Sequence, residues 1–398
     1  MTTLPAALWR EHPGLARVVA ALGPGQARIV GGAVRDTLLG MDTADVDIAT
    51  PHDPRRVIAL LEAAEIKAVP TGIDHGTITA VASDQVYEVT TLRRDVSTDG
   101  RRATVAFTDD WREDAARRDF TINALYADPE TGEIHDYFGG IADLEARHVR
   151  FIGDPYRRIA EDHLRILRFF RFVARFGDVA DPDGLQACTD RANDLMALSR
   201  ERIANELLRL LVAPRAVEVV ALMIGHGIFA PVLPEITDAG LLLGVAASEE
   251  GVVPPDPIRR LAALLPGPAA AEAVGARLKL SKVQRKRLIA ALTPTTAPTL
   301  ELVYRLGREG ATDQLLLNPD ISPLQRNELR TIATLDIPVF PVGGGQLVAK
   351  GLKAGPDVAR TLQRIEQRWI AEGFPDAARV AAITDEEVAQ TLDETRNS

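Results

Sequence analysis

Residues 27–50 read ARIVGGAVRDTLLGMDTADVDIAT. An apolar run, ARIV (27–30), stops at Gly31-Gly32. AVRDTLLG (33–40) then takes up helical spacing and ends on Gly40, and DVDIAT (45–50) alternates polar and apolar with the two-residue period of a strand. On that strand Asp45 and Asp47 share one face, and Val46 and Ile48 share the other. Carboxylates this close repel unless a cation lies between them, and Mg²⁺ takes hard oxygen ligands while leaving positions for phosphates. Upstream, the glycines let backbone N–H groups approach a phosphate at a helix N-terminus, and Arg35 adds a direct charge. Each feature alone has a plain reading, as a solvated strand face or a tight turn with a helical ion pair. Their close succession argues for a phosphate-and-metal site. Glu88, in YEVTT, would join the pair from a neighbouring strand, and three convergent carboxylates suit in-line nucleotidyl transfer. An aspartyl-phosphate phosphatase would want an apolar strand before the first Asp and Thr or Val four residues after it. GMDTA precedes Asp45 and Ala49 follows, which counts against that chemistry.

Working outward, HDPRRVIALLEAAE (52–65) is an amphipathic helix. GTITAVA (76–82) and VYEVTTL (86–92) form a strand pair about Ser83-Asp84-Gln85. The polar stretch 93–110, with Asp99-Gly100 as a turn, reads as a long mobile loop. From about Leu144 the pattern is helical almost to the end, with proline-rich breaks near 231–234, 253–257, 293–298 and 338–341. The final stretch, 384–398, holds five acids and one Arg and reads as a solvated tail. The class is therefore α+β, a small mixed head followed by an all-α arm.

The 398 residues allow two to three domains, and 46% apolar content is enough for a large core. No uninterrupted apolar run reaches the roughly 18 residues of a membrane span. MTTLPAALWREHPGL meets Arg10 and Glu11 too early for a secretory core, and Cys188 alone permits neither a disulfide framework nor a cysteine metal site. A cytoplasmic protein is expected. With 46 basic and 56 acidic residues the net charge of −10 excludes a bulk polyanion binder, though a local basic surface remains open. Residues 147–177 supply one candidate, with eight arginines against three acids. The interleaved Phe169, Phe170, Phe172 and Phe176 fit helical core packing better than base stacking. RLKLSKVQRKRL (277–288) has six basic residues and no acid, and suits nucleic-acid phosphates and a solvated helix face equally. There is no HExxH, and His135-Asp136 lacks the spaced partners of a metal phosphohydrolase.

GGAVRDTLLG…DVDIAT, YEVTTLR (87–93), RRDFTINAL (117–125) and EDHLRILRFFRF (161–172), taken in order, resemble the class II tRNA nucleotidyltransferases over about residues 28–206. These are the CCA-adding enzymes and the related bacterial poly(A) polymerases. GGGQLVAKGLKAGPDVARTLQRIEQRWIAEGF (343–374) is similar to the family's C-terminal region. The resemblance implies a polymerase-beta-like nucleotidyltransferase head (1–143), a helical neck (144–230), and a helical body and tail (231–398) that hold tRNA. It implies addition of C, C and A to tRNA 3′ ends from CTP and ATP, with Mg²⁺ on Asp45 and Asp47. Gly31, Gly32 and Arg35 then belong to the triphosphate site. Arg118, Asp119 and Asn123 belong to the sugar and phosphate side, and DYFGGIADL (136–144) to a head–neck hinge. Asp162, Arg165 and Arg168 face the nucleotide. Arg171, Arg175, Lys282, Arg285 and Lys286 are candidate RNA contacts. No membrane and no obligate protein partner are implied.

Asp162 and Arg165 explain the choice of bases. Cytosine presents an amino donor beside a ring acceptor, and adenine presents the same order. A carboxylate accepts from the amino group and a guanidinium donates to the ring nitrogen. Guanine and uracil reverse the order, leaving buried polar groups unpaired at about 1–3 kcal/mol each. Three residues apart, the pair is expected on one face of a continuous helix. SRERIANEL (199–207) opens another helix, with Ser199 as N-cap and with Arg202 and Glu206 bracing the first. Three other readings stand beside CCA addition. A poly(A) polymerase would tend to carry a basic C-terminal extension, whereas this chain ends acidic. A partial enzyme would add only CC or only A; the CC-adding kind would have a shortened loop, whereas here Arg93, Arg94, Asp95, Arg101 and Arg102 are present. A non-catalytic tRNA-binding scaffold would not need to keep Asp45, Asp47, Glu88, Asp162 and Arg165 together.

Overall fold

In the computed structural model, described for residues 3–43, 45–98, 103–318 and 323–396, the alternation of the first third becomes one mixed sheet. Its elements follow α1 (Pro13–Leu22), β1 (Arg28–Val30), α2 (Gly32–Leu38), β2 (Asp47–Thr50), α3 (Pro54–Ala63), β3 (Lys67–Gly72), β4 (Thr77–Ala82) and β5 (Gln85–Thr91). After β6 (Arg93–Thr98), β7 (Ala103–Phe107) and α4 (Trp111–Ala116), β8 (Leu125–Ala127) and β9 (Ile134–Asp136) complete the order β3-β4-β5-β2-β1-β8-β9. β2 and β5 run parallel, and every other neighbouring pair in this sheet is antiparallel. Ile29, Ile48, Ile78 and Val89 are fully buried, as are Val18 of α1 and Val57 and Leu61 of α3. This apolar side fixes the register, so the polar members of the same strands must face the other way.

The stretch 93–110 is a correction to the loop expected there. β6 and β7 pair antiparallel, Arg93 opposite Phe107, and the Thr108 N–H donates to the Leu92 carbonyl at the foot. A backbone ladder needs no apolar side chains, so the polar β6, RRDVST, gave no strand signal to pair with the apolar run ATVAF of β7. The turn expected at Asp99-Gly100, with Arg101 and Arg102, lies outside the described residues.

Past the sheet come α5 (Gly140–Glu145), β10 (His148–Val149), α6 (Pro155–Glu161), α7 (Arg165–Phe176), β11 (Val179–Ala180), α8 (Pro182–Asp190) and α9 (Arg200–Leu211). At the expected hinge, four consecutive N–H groups, Phe138 to Ile141, donate to the Asp136 carboxylate. Gly140 there approaches the Thr121 carbonyl so closely that a Cβ would stand 2.3 Å from its oxygen. The α7 phenylalanines are core. Phe169 and Phe172 pack with Phe120 and Phe151 at ring separations of 5.0–6.3 Å.

The remaining helices are α10 (Ala216–Gly225), α11 (Gly240–Glu249), α12 (Pro257–Ala262), α13 (Pro268–Arg277), α14 (Lys282–Leu292), α15 (Thr299–Leu317), α16 (Pro323–Thr331), α17 (Gly344–Ala349), α18 (Pro356–Ala371) and α19 (Ala377–Arg396). The chain divides into two compact units. One is Met1–Leu243 with Pro255–Pro266 and Ala273–Ser281, and the other is Gly244–Pro254, Gly267–Glu272 and Lys282–Ser398. Within the second, Leu347, Leu352, Ile365, Ile383 and Val388 form one core. The acidic terminus is not the solvated tail expected. It continues α19, with Thr384, Val388 and Thr391 buried, and its Glu387 meets Arg364 at 2.9 Å and Arg368 at 3.0 Å. No helix among the described residues is long and apolar enough to cross a membrane.

Candidate active site

Asp47 opens β2, and the parallel register sets it beside Glu88 of β5; on its other side stands Val30 of β1. Val46 and Ile48 are buried while Asp45, Asp47 and Glu88 are exposed, so the three carboxylates gather on the open side of the sheet. None of them takes part in an ion pair with Lys, Arg or His among the described residues. Partial desolvation first, then repulsion from Glu88 and from Asp45, holds the Asp47 carboxyl above the usual range, with Arg118 opposing. Among the described residues no three carboxylate, imidazole or thiol groups close into a ready-made metal cage. That donor set still fits Mg²⁺, which is commonly held by one or two carboxylates with waters and substrate phosphates completing its shell.

The turn after β1 supplies the neighbouring wall. Gly31 takes φ 72° and ψ −120°, a conformation open only to glycine, and its N–H donates to the Leu125 carbonyl. A Cβ at Gly31 would stand 3.4 Å from Arg118 Nη1, and one at Gly32 would stand 3.7 Å from Arg35 Nη2. Both arginines therefore lie at this turn, but in different settings. Arg35 is only 7% exposed. It donates to Asp36 at 2.8 Å and to Asn123 Oδ1, and stacks 4.1 Å over the Phe176 ring. Burial lowers its pKa, partly offset by Asp36. Arg118 keeps more exposure and leans on Tyr126 and Asp114.

RRDFTIN forms a buried polar chain into the helical segment. Asp119 Oδ1 accepts from the Phe120 N–H and from Asn123 Nδ2, both at 2.9 Å, while Oδ2 accepts Arg168 Nε at 2.7 Å. Burial pushes the Asp119 carboxyl up, but Arg168, Asn123 and Arg165 outweigh it and hold the pKa at about 2. Arg168 continues to Glu206 of α9 at 3.9 Å, and Arg171 meets the same carboxylate at 2.6 Å.

Asp162 and Arg165 do not sit on one continuous helix. α6 ends at Glu161, Asp162 is extended at φ −151° and ψ 107°, and α7 begins at Arg165. Asp162 Oδ1 accepts the Leu164 N–H at 3.1 Å, the local bond by which Asp competes with helix. Its Oδ2 accepts Arg202 Nη2 at 2.7 Å. Arg165 bonds to the carbonyls of Arg158 at 2.8 Å and Arg117 at 2.9 Å and to Glu161. The two side chains are thus fixed separately at one helix break. Glu206 and Arg202 brace this region as expected, and Ser199 occupies the N-cap of α9 without a side-chain cap bond.

The arginine-rich surface is smaller than the residue count implies. Arg150, Arg158, Arg165, Arg168 and Arg171 are all in ion pairs, whereas Arg175 is exposed. In the second unit Lys282 and Lys286 are exposed, and Arg285 pairs with Glu272. Sequence reading missed Asp114 and Tyr126. The signal available was the position of Asp114 three and four residues before Arg117 and Arg118 in a helical run.

A nucleotidyltransferase head carrying a glycine turn, a carboxylate edge and a helical arm defines the class, and comparison with known proteins gives the family. Residues 27–150 match the Poly A polymerase head domain, and residues 181–239 match the family described as "Probable RNA and SrmB- binding site of polymerase A". The chain is 35% identical over 368 residues to the mouse (Mus musculus) CCA tRNA nucleotidyltransferase 1, mitochondrial, covering 88% of this chain and 84% of that protein. It is 43% identical over 216 residues to the CCA-adding enzyme of Streptococcus gordonii, covering 54% of this chain and 52% of that one. The crystal structure of the Bacillus stearothermophilus CCA-adding enzyme in complex with CTP superposes with a TM-score of 0.74 at 28% identity, over 96% of this chain and 100% of that one. The chain belongs to the CCA tRNA nucleotidyltransferase family.

Proposed function

We propose that this chain adds C, C and A to the 3′ end of tRNA, using CTP and ATP without a nucleic-acid template. The tRNA 3′-hydroxyl attacks the nucleotide α-phosphate and pyrophosphate leaves. The observation that carries this reading is the register pairing of Asp47 with Glu88 on the open side of the sheet, beside the positive-φ turn at Gly31. Asp45 and Asp47 would hold Mg²⁺, which supplies charge stabilisation at the α-phosphate and a lowered pKa for the attacking hydroxyl. Glu88 sets the adjoining negative potential. The Gly31–Gly32 turn lets the triphosphate approach the backbone, with Arg118 and Arg35 beside it. Asp162 accepts from the amino group of C or A and Arg165 donates to the ring nitrogen, each first exchanging one of its present partners. Asp119, Asn123 and Arg168 hold the sugar side in place.

Arg175, Lys282 and Lys286 present charge to the RNA. Arg171 and Arg285 would reach it only by leaving Glu206 and Glu272. The functional division follows as head 1–143, neck 144–230, and body with tail 231–398. A cytoplasmic setting suits the single cysteine, Cys188, which is buried. The test is primer extension on tRNA transcripts ending before CCA, before CA and before A, each with single nucleotides. The expected products are C, C and A added in turn and then arrest. A poly(A) ladder would assign the chain to the sister activity, and products stopping at CC would make it a partial enzyme.

A further inference from the structure

Asp114 accepts four hydrogen bonds, as many as Asp119, and no step of the reaction above uses it. It lies on α4 and is 1% exposed. Oδ1 accepts the backbone N–H of Arg93 at 3.0 Å and Arg117 Nε at 2.9 Å. Oδ2 accepts the Tyr126 hydroxyl at 2.6 Å and Arg118 Nη2 at 3.3 Å. Tyr126 closes a triangle, because its oxygen also accepts Arg118 Nε at 3.1 Å. Two of the three guanidinium nitrogens of Arg118 are thereby occupied, and the third, Nη1, is left at the Gly31 turn. Arg93 begins the hairpin β6–β7, and the Arg117 carbonyl is one of the groups that hold Arg165. One buried carboxylate thus joins the foot of the hairpin, the arginine at the glycine turn, and the residue supporting the base-reading arginine.

We propose that Asp114 is a positioning residue for nucleotide binding. It aims Nη1 of Arg118 at the triphosphate turn, with the Tyr126 hydroxyl as the second fixed point. This rests on the reading of the chain as a nucleotidyltransferase that uses CTP and ATP. A buried carboxylate with so many donors would be costly to retain for packing alone, since an apolar residue of similar size would fill the space without them. The geometry also states what Asp114 does not do: it is buried with both oxygens bonded to protein groups, so it has no contact with a base. Its loss should therefore affect CTP and ATP alike.

The experiment is a double-mutant cycle on steady-state C and A addition, using Asp114→Asn, Arg118→Ala and the double variant in the full chain. Asp114→Asn keeps the shape and removes the charge. It should raise KM for CTP and for ATP by a similar factor, on the order of tenfold, with kcat and KM for tRNA little changed. In the Arg118→Ala background the same substitution should add no further rise, because the group it positions is gone. Tyr126→Phe, which keeps the ring and removes one fixed point, should move KM in the same direction by less; it decides the matter if Asp114→Asn does not fold. Additive losses in the cycle, a fall confined to kcat, or unequal effects on CTP and ATP would overturn the proposal. A wild-type chain that uses neither nucleotide would instead overturn the reading on which it rests.

Discussion

The carboxylates on β2 and β5 and those of Asp114 and Asp119 meet arginine on opposite terms. Asp45, Asp47 and Glu88 are exposed, adjacent and without ion pairs to cations among the described residues, and Asp47 is held above its usual pKa. Asp114 and Asp119 are buried, and although burial pushes both up, Arg118 and Arg117 in one case and Arg168 in the other bring each to about 2. The same kind of side chain thus stands in one place open and unpaired with cations among the described residues, and in the other as a closed joint. The first arrangement stores repulsion that a bound cation relieves, and the second holds charge already satisfied by its own arginines and hydrogen-bond donors.

The strongest way to break the contrast is to neutralise the open set. Asp47→Asn should abolish nucleotide addition, a loss of at least about 10³-fold, because it would remove a proposed Mg²⁺ ligand worth several kcal/mol in the transition state. The folded protein should lose nothing. A carboxylate with a raised folded pKa costs stability when ionised, so the thermal midpoint should stay level or rise. A retained turnover, or a clear drop in midpoint, would erase the distinction.

The closed set should behave in the reverse way. Asp119→Ala leaves the partly buried Arg168 without its near carboxylate, with only Glu206 at 3.9 Å, and should cost about 1.5–3 kcal/mol in denaturant unfolding at pH 7. The sign with pH follows from the lowered pKa. A carboxylate at about 2 when folded, against an ordinary value of 3.8, contributes stability above the unfolded pKa and loses it as pH falls through the folded one. The gap between wild type and Asp119→Ala should therefore narrow between about pH 5 and pH 2. A gap that stays constant over that range would mean the network holds its shape without its charge.

How far the sequence exposed this contrast depended on whether the signal was local. The two-residue period of DVDIAT and YEVTT showed which face each acid takes, and parallel pairing then brought Asp47 to Glu88. The glycine turn was legible for the same reason, since Gly31 is followed at once by the helix it starts. The hairpin was not, because β6, RRDVST, is polar and the apolar run of β7, ATVAF, was read together with it as one polar stretch. The break at Asp162 was obscured by Glu161 and Arg165, whose i, i+4 spacing extends a helix on paper. The ion pair does form, but Asp162 turns its carboxylate to its own backbone and the helix stops between them. The bracing role of Glu206 was legible, but its pairing with Arg171, and that of Asp119 with Arg168, join segments distant in sequence that charge counts along 147–177 could not see. Asp114 offered a local signal in Arg117 and Arg118, while its bonds to Arg93 and Tyr126 come from farther along the chain.

Asp162 stands between the two sets, paired with Arg202 yet 30% exposed at the side chain, and it gives the finest test. Asp162→Ala and Arg165→Ala should each weaken C and A use by about 1.5–3 kcal/mol, one charged hydrogen bond. The ratio of kcat/KM for CTP over UTP should fall in both, since the partner that penalised uracil is gone. An unchanged ratio would place base choice elsewhere and leave this helix break as a structural joint.

The pairing of β2 with β5 has a consequence for how this gene can change. A slip of one position would turn Glu88 into the space of Val89, which is fully buried, and lift an apolar residue into the open. Burying the carboxylate there would cost the fold several kcal/mol. An insertion or deletion in β5 that slips this register therefore weakens the fold as it misaligns the site. Cellular quality control, acting on stability alone, thereby also selects for copies whose acids stand side by side.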